Sequence, residues 1–442
     1  MDIVTKVAAA MQSALGPALD QLGRQVGVIR RQRKFTGASL FRTIVLTLMR
    51  APSPRTDDFV STAAMLHLGV TGRAIEKRFD ERLVTFLRRG LERTIEHALA
   101  ADPARVALLE KFTAVEIQDS TSITLPDIYA GQFPGRGGKS GSGKSAVKIQ
   151  LAYDLRSGRV GKLEFQPGRD SELSGEAPDA PVRPGSLLIR DLGYFSLPRF
   201  RRWGRGGAYW ISRWQPGTSV STADGGPLDL LEYARGQGKS LIDVPVLLGA
   251  AERLPCRLIV VRVPPEIAAR RRRKAHERGR KHGTVPSRRQ LAMCDWTIFL
   301  TNCPQGLLTW KEVVVLYRAR WQIELMFKLW KSHNHLAASR GAWTAVERMA
   351  MFWAKLVVVI LQHWLLLTSA WSDVRRSHWK AAGEVRRWVA ALIRVIDDAD
   401  PLVELLNDMA RAIEGIANKK LRKKSPSLFQ LLENPELLDW GR

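Results

Sequence analysis

Three acidic side chains stand out for where they fall in the sequence pattern. Asp119 follows the short apolar run FTAVEI (Phe112 to Ile117), inside Gln118-Asp119-Ser120-Thr121. Asp191 follows SLLI (Ser186 to Ile189), inside Arg190-Asp191-Leu192-Gly193-Tyr194-Phe195. Glu324 lies in YRARWQIELMFKLWK, from Tyr317 to Lys331. Read as one helix, this last stretch puts Tyr317, Arg320, Glu324, Lys328 and Lys331 within roughly a quarter of one face. Leu316, Ile323, Phe327 and Trp330 form an apolar stripe beside it. Two strand-end aspartates and a helical glutamate make a hard-oxygen ligand set. Magnesium or manganese takes such oxygens, and two ions about 4 Å apart can activate a water or a 3′-hydroxyl against a phosphodiester. Glu324 flanked by Arg320 and Lys328 also has a plainer reading, as i,i+4 pairs on a solvated helix.

Elements must bring these groups together. The opening residues 1–105 read as helical, with basic residues scattered among apolar ones. Phe59 to Arg89 can hold a helix-turn-helix, with a turn at Leu68-Gly69-Val70 and Thr71 capping a helix that carries Arg73, Lys77 and Arg78. The alternative is a set of purely structural helices. The period then changes to two. Strands are expected at Phe112 to Ile117, Val147 to Tyr153, Val160 to Phe165 and Ser186 to Ile189, with DSELSGEAPDA a helix or loop. Asp154 is a rival carboxylate, but it opens the turn Asp154-Leu155-Arg156-Ser157-Gly158, where an aspartate serves the local backbone.

About 130 residues separate Asp191 from Glu324, too many for one strand-to-helix connection. Ala208 to Arg213, Ile242 to Leu248 and Cys256 to Val263 read as strands of an inserted β-rich module, at about residues 206–290. The run Arg270-Arg271-Arg272-Arg273-Lys274 follows, either a solvated or mobile stretch or, as the basic balance of the chain favours, a contact with a DNA backbone. Trp296 to Asn302 is a further strand. Met349 to Trp371 is apolar for the length of a membrane span. Lys355, Gln362 and His363 interrupt it and no second span accompanies it, so it reads as a buried helix and no membrane is expected.

Composition narrows the partner. The chain has 442 residues, enough for two or three domains, and an ordinary apolar fraction of 45%. Its 69 Lys and Arg against 43 Asp and Glu give a net charge of +26. A polyanion that binds by releasing counterions is the first partner such a charge suggests, and arginine outweighs lysine, which suits phosphate and guanine. Cys256, Cys294 and Cys303 form no CxxC pair, which points to a reducing cytoplasm, and the N-terminus lacks the apolar core of a signal peptide. Gly138 to Ser145 spells GxxxxGK[ST], but VKIQLAY follows it with period two, where a P-loop needs a helix. Nucleoside triphosphate binding is therefore not expected. Lys139 and Lys144 instead belong to a cationic Gly/Ser loop able to lie against DNA.

The residues resemble a known family. Tyr317, Arg320, Glu324 and Lys331 match the Y-x2-R-x3-E-x6-K signature of bacterial insertion-sequence transposases of the DDE type. Asp119 in QDST, Asp191 in DLGYF and the pair Thr301-Asn302 match its other boxes, so the resemblance spans residues 112 to 331. It implies a ribonuclease-H-like α/β catalytic domain at residues 106–340, interrupted by the β-rich insertion. A helical DNA-binding domain at 1–105 would precede it, and a helical, dimerising domain at 341–442 would follow. Asp119, Asp191 and Glu324 would hold two Mg²⁺ or Mn²⁺ ions. Tyr317, Arg320 and Lys331, with Lys328 and Arg213, would contact phosphates of double-stranded DNA, both terminal inverted repeats and target. Trp296 would stack on an extruded base, the alternative being a core tryptophan. The expected setting is a homodimer on the bacterial nucleoid. A nuclease or resolvase without strand transfer, or a non-catalytic DNA-binding protein, is the alternative.

Overall fold

The apolar stretch that is long enough to cross a membrane is a core helix. In a computed structural model, which describes residues 1–31, 33–137, 143–173, 182–337 and 343–439, it runs from Ala345 to Leu367. Thr344 caps it, accepting from the Glu347 N–H while the Glu347 carboxylate accepts from the Thr344 N–H. Every residue from Met349 to Leu367 is buried. The helix packs against the Glu81–Ile95 and Gly37–Arg50 helices, and Phe133 and Phe165 meet Trp353 from the side. The polar residues that interrupt the stretch all have partners. Lys355 donates to the His335 carbonyl at 2.8 Å, Gln362 accepts from Asn334 at 2.7 Å, and His363 meets the Gly158 carbonyl at 2.7 Å. Burial pulls Lys355 down to about 8.

The chain forms two compact units, each assembled from three stretches. The first comprises Met1–Arg105, Asp119–Gly175 and Gln322–Lys420; the second comprises Val106–Gln118, Glu176–Trp321 and Leu421–Arg442. Strand β1 (Val115–Thr124) contributes to both. In the first unit the order is β3-β2-β1, with β2 (Ala146–Asp154) and β3 (Val160–Pro167) antiparallel. The second unit has β1-β4-β5-β9-β8-β7-β6. Here β4 is Leu187–Arg190, β5 Tyr209–Arg213, β6 Val220–Thr222, β7 Leu241–Leu248, β8 Leu254–Arg262 and β9 Trp296–Thr301. Strands β1, β4 and β5 are parallel neighbours, and the remainder pair antiparallel. The second core centres on Trp210, stacked on Phe200 at 4.3 Å, with Leu258, Val260 and Leu300 around it.

Several expectations need correction. β1 does not stop before Asp119: it continues through Ser120-Thr121-Ser122-Ile123-Thr124, whose β-branched residues suit a strand, so Asp119 sits mid-strand. The strands of the inserted stretch join the sheet of the second unit, β8 pairing with β9 over Arg257–Arg262. The basic run belongs to the 18-residue helix Pro265–His282, which ends on Gly283 at φ +67°. Around Thr71 the cap forms as expected, but the helix it opens runs only from Gly72 to Glu76, a single turn beyond the Thr56–Met65 helix. Lys144 and Ser145 lead straight into β2. Lys139 lies outside the described residues, as does DSELSGEAPDA from residue 174.

Candidate active site

In the first unit, Asp119 and Glu324 line one open pocket of about 440 Å³, with Ser120, Thr121, Phe327, Lys328, Lys331 and Ser332. β1 supplies Asp119, whose Oδ1 accepts from the Ser120 N–H at 2.8 Å. The Ser120 hydroxyl in turn donates to Glu172 at 3.0 Å. Glu172 was not singled out by sequence reasoning; its only signal was the polar composition of the segment after β3.

The helix that supplies Glu324 is not continuous. Trp310–Ala319 is one α-helix, Arg320 is a turn residue, Trp321–Lys328 is a second α-helix, and Leu329–His333 winds as a π-helix. No Gly or Pro marks either change. Ile323, Met326 and Phe327 are buried, while Glu324 and Lys328 keep contact with the pocket. The wider π turn carries Lys331, whose ammonium donates to the Ser122 carbonyl of β1 at 3.3 Å and whose pKa is lowered by burial. Buried contacts hold this turn: Arg386 donates to the His333 carbonyl at 2.6 Å, and Asn334 to Gln362. π turns of this kind concentrate at functional sites.

In the second unit, Asp191 follows β4 directly, as expected, and opens the short turn Leu192–Tyr194. The Arg320 guanidinium stands 3.8 Å from its carboxylate. Tyr317 is in the same group: burial, then the Asp191 charge, push its phenol up to about 12, against the opposing pull of Arg320 and Arg213. Its ring packs on Phe299 of β9 at 5.4 Å. A guanidinium and a phenol thus stand by the Asp191 carboxylate, with Arg213 near the phenol, an arrangement with donors for a phosphate. Beneath it, buried Arg190 pairs with Glu116 across β4 and β1 and lies 5.5 Å from the Trp203 ring. Thr301 and Asn302 act on the backbone. Thr301 donates to the Trp210 carbonyl at 2.6 Å, and Asn302 accepts from the Trp210 N–H at 2.7 Å while donating to the Ala208 carbonyl at 2.9 Å. They clamp the end of β9 to β5, the strand that carries Arg213.

Trp296 takes the core alternative. The indole is 8% exposed, belongs to the hydrophobic cluster, and has the Arg262 guanidinium 5.9 Å from its ring centre. A base has no access to it in this arrangement. Asp154 behaves as a turn residue, accepting from the Arg156 N–H and the Ser157 hydroxyl.

For a divalent ion the donor chemistry fits in kind: Asp119 and Glu324 offer carboxylate oxygens alone on a shared pocket. Among the described residues no group of three or more His, Cys, Asp or Glu is gathered as a finished metal cage.

Comparison with known proteins identifies the class. Residues 111–359, more than half of the chain, match the transposase DDE domain family, and the chain belongs to it. A DDE domain implies a ribonuclease-H-like fold, and such enzymes generally use divalent metal. The likeness extends beyond that domain. The chain is 27% identical over 449 residues to the transposase of insertion sequence element IS231F from Bacillus thuringiensis subsp. israelensis, covering 94% of this chain and 92% of the relative. It is 26% identical to the IS231B transposase of subsp. berliner with the same coverage. Over 48% of this chain and 61% of the relative, it is 31% identical to a putative transposase, InsL of IS186A, from Escherichia coli K12. The protein is a DDE transposase, similar over most of its length to the transposases of IS231 elements.

Proposed function

We propose that this transposase binds the terminal inverted repeats of its own element, cuts there, and joins the 3′ ends to target DNA, with Asp119, Asp191 and Glu324 as the reacting carboxylates. The observation that carries the proposal is the pocket shared by Asp119, Glu324 and Lys331, residues far apart in sequence that meet beside β1. Asp191, set among Arg320, Tyr317 and Arg213, would complete the set.

In this reading Lys331 and Lys328 hold phosphate oxygens at the mouth of the pocket. Arg320, Arg213 and the protonated Tyr317 hydroxyl do the same around Asp191, and so fix the strand in register for in-line attack. A pair of Mg²⁺ or Mn²⁺ ions on the three carboxylates would supply the activated water or 3′-hydroxyl and stabilise the leaving oxygen. Tyr317, Arg320, Glu324 and Lys331 then act as the family's YREK signature. Residues 1–105 serve DNA binding and 341–442 dimerisation, so that two copies hold the two ends, on the nucleoid in the cytoplasm. Lys144 contacts the DNA backbone.

Supplied with DNA carrying both ends, Mg²⁺ and a target plasmid, the purified protein is expected to nick at the ends and yield joined products. Nicking with no joined product would favour a nuclease or resolvase; binding alone would favour a non-catalytic protein. Inverted repeats flanking the coding region are expected in the genome.

A further inference from the structure

The Pro265–His282 helix is the most strongly charged surface element of the second unit, and its arginines divide between two tasks. Arg271 and Arg272 turn inward. Arg271 donates to the Trp296 carbonyl at 2.9 Å and the Thr297 hydroxyl at 2.8 Å, and Arg272 pairs with Asp295. They tie the helix to the start of β9. Ala268 and Gly279 are buried on the same side. Arg270, Arg273, Lys274 and Lys281 are exposed. At 100° per residue these four fall within roughly 100° of arc, on the side opposite Gly279.

We propose that this outer row is a second DNA-binding site, a sequence-independent seat for the phosphate backbone of a duplex, built from residues other than those of the candidate active site. The proposal rests on the transposase reading only in taking DNA as the partner. From Arg270 to Lys281 the row extends roughly 16 Å along the helix axis. Over that length a duplex carries about ten phosphates, enough to face every cation in the row. Between Arg270 and Lys281 the row contains one carboxylate, Glu277, so the surface stays positive. Its outer positions 266, 270, 273, 274, 277 and 281 are all charged, with no apolar residue to insert into lipid, which argues against an interfacial membrane helix. Backbone phosphate is the partner that a row of cations binds without regard to sequence. The inward Arg271 and Arg272 make the seat rigid with respect to β9.

The test uses the full chain, a short random-sequence duplex, and EDTA so that no cutting occurs. Affinity is followed by fluorescence anisotropy between about 50 and 200 mM salt. Replacing Arg270, Arg273, Lys274 and Lys281 together by Gln is expected to reduce the slope of log K against log salt by about 3 to 4, at roughly 0.9 per lost phosphate contact, and to weaken binding at least tenfold. The unfolding midpoint should not change, because all four are exposed. If the quadruple variant fails to fold, the single Gln variants carry the test, each lowering the slope by about 0.9. Arg271→Gln with Arg272→Gln should lower the unfolding midpoint and leave the slope as it was. An unchanged slope in the folded outer-row variant would overturn the proposal. So would loss of binding to anionic phosphatidylserine vesicles with duplex binding intact. Because no metal is present, an error in the catalytic assignment would leave this measurement unaffected.

Discussion

His363 should make this protein acid-sensitive over a defined window, and replacing it by Gln should remove that part of the sensitivity. The ring is enclosed in the core helix, 4.9 Å from the Trp371 ring, with Nε2 2.7 Å from the Gly158 carbonyl. A carbonyl only accepts, so Nε2 carries the proton and donates it. Burial, opposed only in part by that hydrogen bond, lowers the imidazole from 6.5 to about 4. The folded state therefore keeps the ring neutral at a pH where the unfolded chain has already protonated it. The stabilisation is complete above 6.5 and is lost as pH falls from 6.5 through the folded value near 4. Linkage puts the loss at about 2 kcal/mol by pH 5, rising to the order of 3 at pH 4. Urea unfolding followed by tryptophan fluorescence at pH 7.5 and pH 5 measures it. His363→Gln keeps an N–H for the Gly158 carbonyl and cannot take up a proton in this range. Its loss of stability between the two conditions should be smaller than that of the wild type by about 2 kcal/mol. His378, half-buried and lowered to about 3 in part by the His363 charge, titrates in the same sense; at pH 5 its ring is neutral in both folded proteins, so its contribution there is nearly equal in the two. An identical acid-side loss in the variant and the wild type would refute the reasoning.

Further outcomes follow from particular contacts. Trp296→Ala removes a core ring and should cost about 3–5 kcal/mol in urea unfolding; an unchanged midpoint would return the indole to the DNA. Lys331→Ala should lower the salt slope of DNA binding by about 0.9 and leave stability nearly unaltered, as measured by anisotropy and thermal unfolding. Glu116→Ala deprives the buried Arg190 guanidinium of its carboxylate and should cost on the order of 2 kcal/mol, read from the same unfolding curves.

The strands were legible because each is a short apolar or alternating run closed by turn residues. Ala208 to Arg213, Ile242 to Leu248 and Trp296 to Asn302 emerge as β5, β7 and β9 within a residue or so. The length of β1 was misjudged because Asp119 looks like a strand terminator, whereas the threonines and Ile123 after it keep the backbone extended. The two changes of winding after Ala319 carried no signal, since Arg320 keeps right-handed helical angles and the π turn at Leu329–His333 is imposed by buried partners elsewhere in the chain. The arginine run announced a surface, but the helix that carries it, opened at Pro265 and closed at Gly283, was not read from the sequence. The division of its arginines between Trp296, Thr297, Asp295 and solvent depends on how the helix packs on β9, which no local pattern gives. Trp296 shows the same limit from the other side: a tryptophan at a strand start is compatible with a base or a core, and only packing decides.

The account stands on Asp119, Asp191 and Glu324 acting as one catalytic set. The direct measurement is Mg²⁺-dependent nicking of DNA that carries the element ends by Asp119→Ala, Asp191→Ala and Glu324→Ala, with binding to the same DNA measured alongside. Each variant should bind like the wild type and leave the strand uncut. A Glu324→Ala protein that cuts at the wild-type rate would contradict it.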